Sequence, residues 1–190
     1  NDFELKADGF VAMPGEDINM DISFSTPNNS FKSLLSLIPA VYKADMEGIQ
    51  TAGELSFDGF VRGVYNEFTM PGLALNLKVV DGRVQYPDLP ESLENIQIDA
   101  KIDASKGIDH DAMRIDVPVF HLEMAKNPID LTLLVKTPYS DPYLDGALKA
   151  KVDLSKIAQT IPLNQGDVLE GLINADLAVK GNMSSIEEKR

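Results

Sequence analysis

Cysteine is absent from the sequence. That removes disulfides, thiolate metal centres and cysteine nucleophiles together. It fixes no compartment, since cytoplasmic proteins and large bacterial envelope proteins alike often lack cysteine. Basic residues are scarce: 17 Lys and Arg face 30 Asp and Glu, for a net charge of −13. With no tight basic cluster, the chain is expected to repel phosphate backbones, and nucleic acid is not expected as a partner. No apolar run approaches the roughly 18–20 residues that span a bilayer. No basic segment followed by an apolar stretch stands at Asn1, so no signal peptide is read there. The chain opens on strand-like alternation (Phe3, Leu5, Ala7) and ends in a polar stretch from Ser184 to Arg190. It reads as a piece of something longer.

What is present is an ordinary globular balance, 44% hydrophobic and 25% charged over 190 residues, enough for a real core. Its dominant pattern has period two. Ile18, Met20, Ile22 and Phe24 alternate with Asn19, Asp21, Ser23 and Ser25. The same alternation runs through Leu75, Leu77 and Val79, through Ile96, Ile98, Ala100 and Ile102, and through Ile115, Val117 and Val119. It returns in Leu131, Leu133 and Val135, then in Leu148, Ala150, Val152 and Leu154. Leu172, Ala175, Leu177 and Val179 suggest a last strand whose phase shifts near Asn174. Turn formers intervene at Pro14-Gly15, Pro71-Gly72, Asp81-Gly82, Pro87 and Pro90, Lys106-Gly107, Asn127-Pro128 and Asp141-Pro142. The pattern predicts about ten antiparallel strands, each with one apolar and one polar face.

Two short helices are expected to interrupt the strands. One follows Asn29 and Ser30 and sets Phe31, Leu34, Leu35 and Ile38 on one stripe. The other, from Ser155 to Ile161, pairs Ile157 with Ile161, and both stop at a proline. These helices suggest a tandem repeat. Pro39 and Pro162 share an offset of 123 (162 − 39) with Gly48 and Gly171 (171 − 48). The glycines expected to close the next strands, Gly59 and Gly181, stand one short, at 122 (181 − 59). The expected fold is therefore mainly β: a curved antiparallel sheet, an open groove or a partly closed barrel or sandwich, with two short helices. It is read as one β-rich fragment, 1–190, with repeat units at about 18–140 and 141–190, the second incomplete.

The run Ser33-Leu34-Leu35-Ser36-Leu37-Ile38-Pro39-Ala40-Val41-Tyr42 leads into Met46-Glu47-Gly48 and Thr51-Ala52-Gly53-Glu54-Leu55. Asp58-Gly59-Phe60-Val61-Arg62-Gly63 follows, then Asp81-Gly82-Arg83-Val84-Gln85-Tyr86-Pro87-Asp88-Leu89-Pro90. These strings resemble the carboxy-terminal region of AsmA-like proteins, particularly the Bacteroidetes type, best over Ile18–Asp103 and more weakly over Ala147–Gly181. The resemblance implies a large envelope protein anchored in the inner membrane, extending through the periplasm and tied to outer-membrane biogenesis. It also implies an elongated apolar β-groove for phospholipid acyl chains, with no catalytic motif to carry over. Membrane contact would come only through parts outside this sequence, and other segments of the full-length protein would be partners.

The residues themselves leave two readings open. A one-sided apolar sheet curled into a gutter would bury acyl chains at roughly 0.8 kcal/mol per methylene. The same face packed against a second layer would be a closed core, and the chain a structural or protein-interaction module. Residues expected on that face are Ile18, Met20, Ile22, Phe24, Leu55, Phe57, Leu75, Leu77, Val79, Ile96, Ile98 and Ile102, with Phe31, Leu34, Leu35 and Ile38 as a helical plug at one end.

Catalytic chemistry finds little footing. His110, in Asp109-His110-Asp111, reads as part of a solvated turn, and His121 lies on a strand without ligand spacing to Asp103 or Asp116. No Gly-x-Ser-x-Gly elbow or phosphate loop occurs. Asp99, Asp103, Asp116, Asp130 and Asp153 alternate with apolar residues as solvated outer faces do, and a glycosidase pair would need the fold to join two of them. Asp141-Pro142-Tyr143-Leu144-Asp145-Gly146 lacks EF-hand spacing and reads as a turn. Phe57, Phe60, Tyr65 and Phe68 are expected in the core, and the methionines suit a core or an adaptable groove equally. No enzyme activity, cofactor or metal is expected.

Overall fold

The computed structural model of the chain describes residues 4–26, 29–30, 48–87, 89–107, 109–157, 160 and 166–187. They form one antiparallel sheet of ten strands that does not close on itself. In chain order these are β1 (Lys6–Ala12), β2 (Ile18–Ser25), β3 (Asn29–Ser30), β4 (Gln50–Tyr65), β5 (Gly72–Gln85), β6 (Leu93–Ala104), β7 (Arg114–Met124), β8 (Asn127–Lys136), β9 (Tyr143–Asp153) and β10 (Leu172–Asn182). Neighbours in sequence are neighbours in space, in the order β1-β2-β4-β5-β6-β7-β8-β9-β10, with β3 alongside β4. Two short helices, α1 (Leu154–Ile157) and α2 (Met183–Glu187), follow β9 and β10.

The alternation explains the topology. Each strand has one face to bury and one to wet, and most of the connections are too short for a parallel crossover. The tightest connection is Ala125-Lys126 between β7 and β8, where both residues take positive φ, 47° and 64°. Those angles match the two-residue hairpin whose twist suits its strands. The turn expected at Asn127-Pro128 thus falls two residues earlier, while Asn127 opens β8 and its Nδ2 donates to the carbonyls of Met124 and Ala125.

Four other expectations are corrected. Asp81-Gly82 is no turn: β5 runs through it as a bulge, with Asp81 at φ 50°. Gly59 does not close a strand, since β4 continues to Tyr65. Leu154 leaves the strand pattern and opens α1. The phase of β10 does not shift near Asn174: β10 pairs with β9 without a break from Leu172 to Asn182, and Ile173 rather than Leu172 continues the apolar row.

Bulges gather in the middle of the sheet, between Ala52 and Glu54, Val79 and Val84, Glu94 and Gln97, and Val117 and Phe120. Such bulges bend a strand and increase its twist. Pro118 sits in the last of them, where a residue without an N–H removes no ladder bond. Of the helix expected over Ser30–Ile38, Ser30 belongs instead to β3, and the rest, with its stripe Phe31, Leu34, Leu35 and Ile38, lies outside the described residues, as does Ile161 of the second. The tandem repeat is not confirmed: Gly48 and Gly171 both take positive φ, but Gly59 is ordinary strand where Gly181 has φ 144°.

Candidate functional site

Directly opposed residues in a sheet share a face, so the register assigns every side chain. Ile18, Met20, Ile22 and Phe24 oppose Tyr65, Gly63, Val61 and Gly59. Leu55, Phe57 and Gly59 oppose Val79, Leu77 and Leu75. Leu75, Leu77, Val79 and Gly82 oppose Ile102, Ala100, Ile98 and Ile96. All twelve residues expected on the apolar face therefore share one face.

That face extends further than the sequence reading carried it. Ile98 leads to Phe120 and Ile102 to Ile115. Phe120 leads to Leu131 and Val117 to Leu133. Leu131 then meets Leu148, and Leu148 meets Leu177. An apolar row thus crosses all nine strands of the path, roughly 40 Å at about 4.8 Å per strand. Alternation through Gly59 would have revealed Val61. The bulge at Val117 to Phe120 hid Phe120 and turned Val119 to the polar side, so Val119 is a correction to the expected row.

Burial along the face is uneven. Leu55, Val79 and Ile96 form a buried cluster, with Leu77, Val84, Leu93, Ile98 and Leu122 packed against it. Toward β10 the same face opens, and Leu177 is 60% exposed. There Leu131, Leu133, Leu148, Leu177 and Val179 line a trough of about 280 Å³ in which Gly146 contributes no side chain. That is slightly under the roughly 300–1,000 Å³ of a small-molecule pocket, and it is an open lining rather than an enclosed cavity. At the other end Phe24 meets Phe57 edge to face, centroids 6.1 Å apart.

The opposite face is polar and pairs its charges across strands. Arg62 donates to Asp21 at 2.9 Å and Lys180 to Asp145 at 2.6 Å across neighbouring strands, while Arg114 donates along its own strand, β7, to Asp116 at 2.8 Å. His121 Nδ1 lies 2.7 Å from Asp130 Oδ1. A wider trough of about 510 Å³ runs on this side between Lys6, Asp8, Ser23, Asp58, Phe60 and Asn76. Phe60 and Phe68 correct the expectation of a core: Phe60 lies on the polar face under the Arg62 guanidinium, 5.0 Å from its ring centroid, and Phe68 is exposed. Tyr65 ends the apolar row at its exposed edge.

The loop carboxylates serve the backbone. Asp141 accepts from the Ser184 N–H at 3.0 Å and its hydroxyl at 2.9 Å, which holds its pKa below the usual value. Asp111 accepts from the N–H groups of Ser140 and Tyr139, with the same downward effect. His110 stacks on Tyr139, centroids 4.6 Å apart. Among the described residues no group of three His, Cys, Asp or Glu side chains could hold a metal ion, and no helix is long and apolar enough to cross a membrane. What the arrangement offers chemically is a broad apolar surface with a charged back. No protein-family model, no curated protein and no solved structure matches the chain.

Proposed function

We propose that the chain is a non-enzymatic segment of a cell-envelope protein of AsmA-like type, and that its apolar sheet face receives phospholipid acyl chains in the periplasm during outer-membrane biogenesis. In the full-length protein an inner-membrane anchor outside this sequence would hold the segment in place. One observation carries the reading: an apolar row crosses nine strands, and among the described residues no second sheet faces it. Soluble monomers rarely leave apolar patches beyond a few hundred Å² uncovered, and larger ones mark interaction sites. An acyl chain of some 16 carbons laid along such a face gains on the order of 10 kcal/mol before its immobilisation cost. Headgroups would remain in water at the rim, so no precisely placed polar residue is required.

The buried cluster of Leu55, Val79 and Ile96 favours a second reading, a structural or protein-interaction module with a closed core over β4 to β6. The two separate experimentally. The chain, produced in the periplasm of a Gram-negative host and purified without detergent, is expected to carry phospholipid or fatty acid in native mass spectrometry. It is also expected to bind a fluorescent fatty acid. Folded protein that carries no lipid and binds no acyl probe would leave the module reading in place.

A further inference from the structure

We infer that the polar face of the sheet binds a neutral saccharide, in the trough of about 510 Å³ that lies over β1, β2, β4 and β5. This site is separate from the apolar face and would hold whether or not that face takes lipid. Two adjacent rows of side chains build it. Asp8, Ser23, Phe60 and Ala74 oppose one another in turn, and so do Lys6, Ser25, Asp58 and Asn76. Directly opposed residues share a face. The short side chains of Ser23, Ser25 and Ala74 therefore stand between longer ones, and the trough is the space they leave. Its volume lies within the roughly 300–1,000 Å³ of small-molecule sites. It sits on a face and not at an edge, so strands paired beyond β1 would widen the sheet and leave the trough open. A second layer over it would have to bury Lys6, Asp8 and Asp58, which charged groups resist.

The groups around the trough suit one chemical class. Phe60 lines it with an aromatic ring, while the Arg62 guanidinium, 5.0 Å from the ring centroid, is not part of the lining. Asn76 Nδ2 donates to Asp58 Oδ2 at 2.9 Å. A carboxylate accepts at two oxygens and a carboxamide donates twice, so this pair keeps capacity to accept and to donate. Ser23 and Ser25 add hydroxyls that do both. A phosphate or carboxylate ligand would meet Asp8 and Asp58, while Lys6 lies 3.6 Å from Glu4. A cationic ligand would share the Phe60 ring with Arg62, like charge beside like. What remains is a neutral molecule with one apolar face and several hydroxyls. A pyranose has that form. Its C–H groups lie against the Phe60 ring, and its vicinal hydroxyls donate to Asp58 and accept from Asn76. Phe10, on the same face of β1 and 58% exposed, offers a second ring to a longer saccharide.

The test is an NMR titration of the isotopically labelled chain with glucose, galactose, mannose and N-acetylglucosamine, and with disaccharides of each. At least one of these is expected to shift the amides of Ser23, Ser25, Asp58, Phe60 and Asn76 together and saturably. An open site for so small a ligand should give a Kd on the order of 1–10 mM. Sodium phosphate and tetramethylammonium chloride, the charged probes, are expected to leave those amides where they are. Phe60→Ala should weaken sugar binding about ten-fold or more, and Phe60→Tyr, which keeps the ring, should restore it. Ala74→Gln leaves that ring in place and fills the depression beside it, so it should weaken binding equally while the circular dichroism spectrum stays unchanged. Three results would each overturn the inference: no saturable shift with any sugar, saturable shifts of the same amides with either charged probe, or wild-type sugar affinity in a folded Phe60→Ala or Ala74→Gln chain.

Discussion

The ring of Phe24 lies over Gly59 on the neighbouring strand. A Cβ built at Gly59 would stand 2.8 Å from that ring and 2.2 Å from the Ala74 carbonyl oxygen. Gly59→Ala is therefore expected to destabilise the fold by about 1–3 kcal/mol, seen as a lower urea midpoint with an unchanged slope. Asp141 yields a prediction in pH. Its bonds from Ser184 lower its pKa from the usual 3.8, so the anchorage of α2 is present above that value and lost as pH falls through the lowered one. The Ser184 amide resonance should shift in that acidic range, and should not do so in Asp141→Asn. Neither contact was legible beforehand. The sequence marks Gly59 as a strand breaker and Asp141 as a turn former, because the neighbours that give each its role are distant in sequence.

At the scale of the element, the strands were the most legible feature, since a half-buried strand must alternate. The fault at Val119 came where one extra residue enters a strand. A bulge reverses the phase of everything beyond it, which is why Phe120 stands where Val119 was expected. Asp81-Gly82 has turn composition because a bulge, like a turn, needs a residue that accepts positive φ. The hairpin at Ala125-Lys126 is the converse case: a turn built from residues that resist its angles. Replacing them with Ala125→Asn and Lys126→Gly should raise stability by about 1 kcal/mol, measured by chemical denaturation.

For the whole molecule, the apolar face has a buried stretch on β4 to β6 and an open end at β10, and substitution should tell them apart. Leu77 packs against the Leu55, Val79 and Ile96 cluster. Leu77→Asp should cost several kcal/mol and lower the melting temperature sharply, because the charge has no partner there. Leu133 lines the open trough opposite Gly146. Leu133→Asp should leave the circular dichroism spectrum unchanged while reducing retained lipid or binding of an acyl probe several-fold. Equal loss of fold in both variants would mean that the face is a core along its whole length.

The sequence by itself determined that the chain is β-rich, antiparallel and two-faced, and it named twelve residues that share the apolar side. Period-two alternation is local, and each strand carries it without reference to any other. Only the tertiary structure decided that these faces join in one unclosed sheet and that the row continues through Phe120 to Leu177. Those outcomes depend on register, and register is a relation between strands that no single stretch of sequence contains.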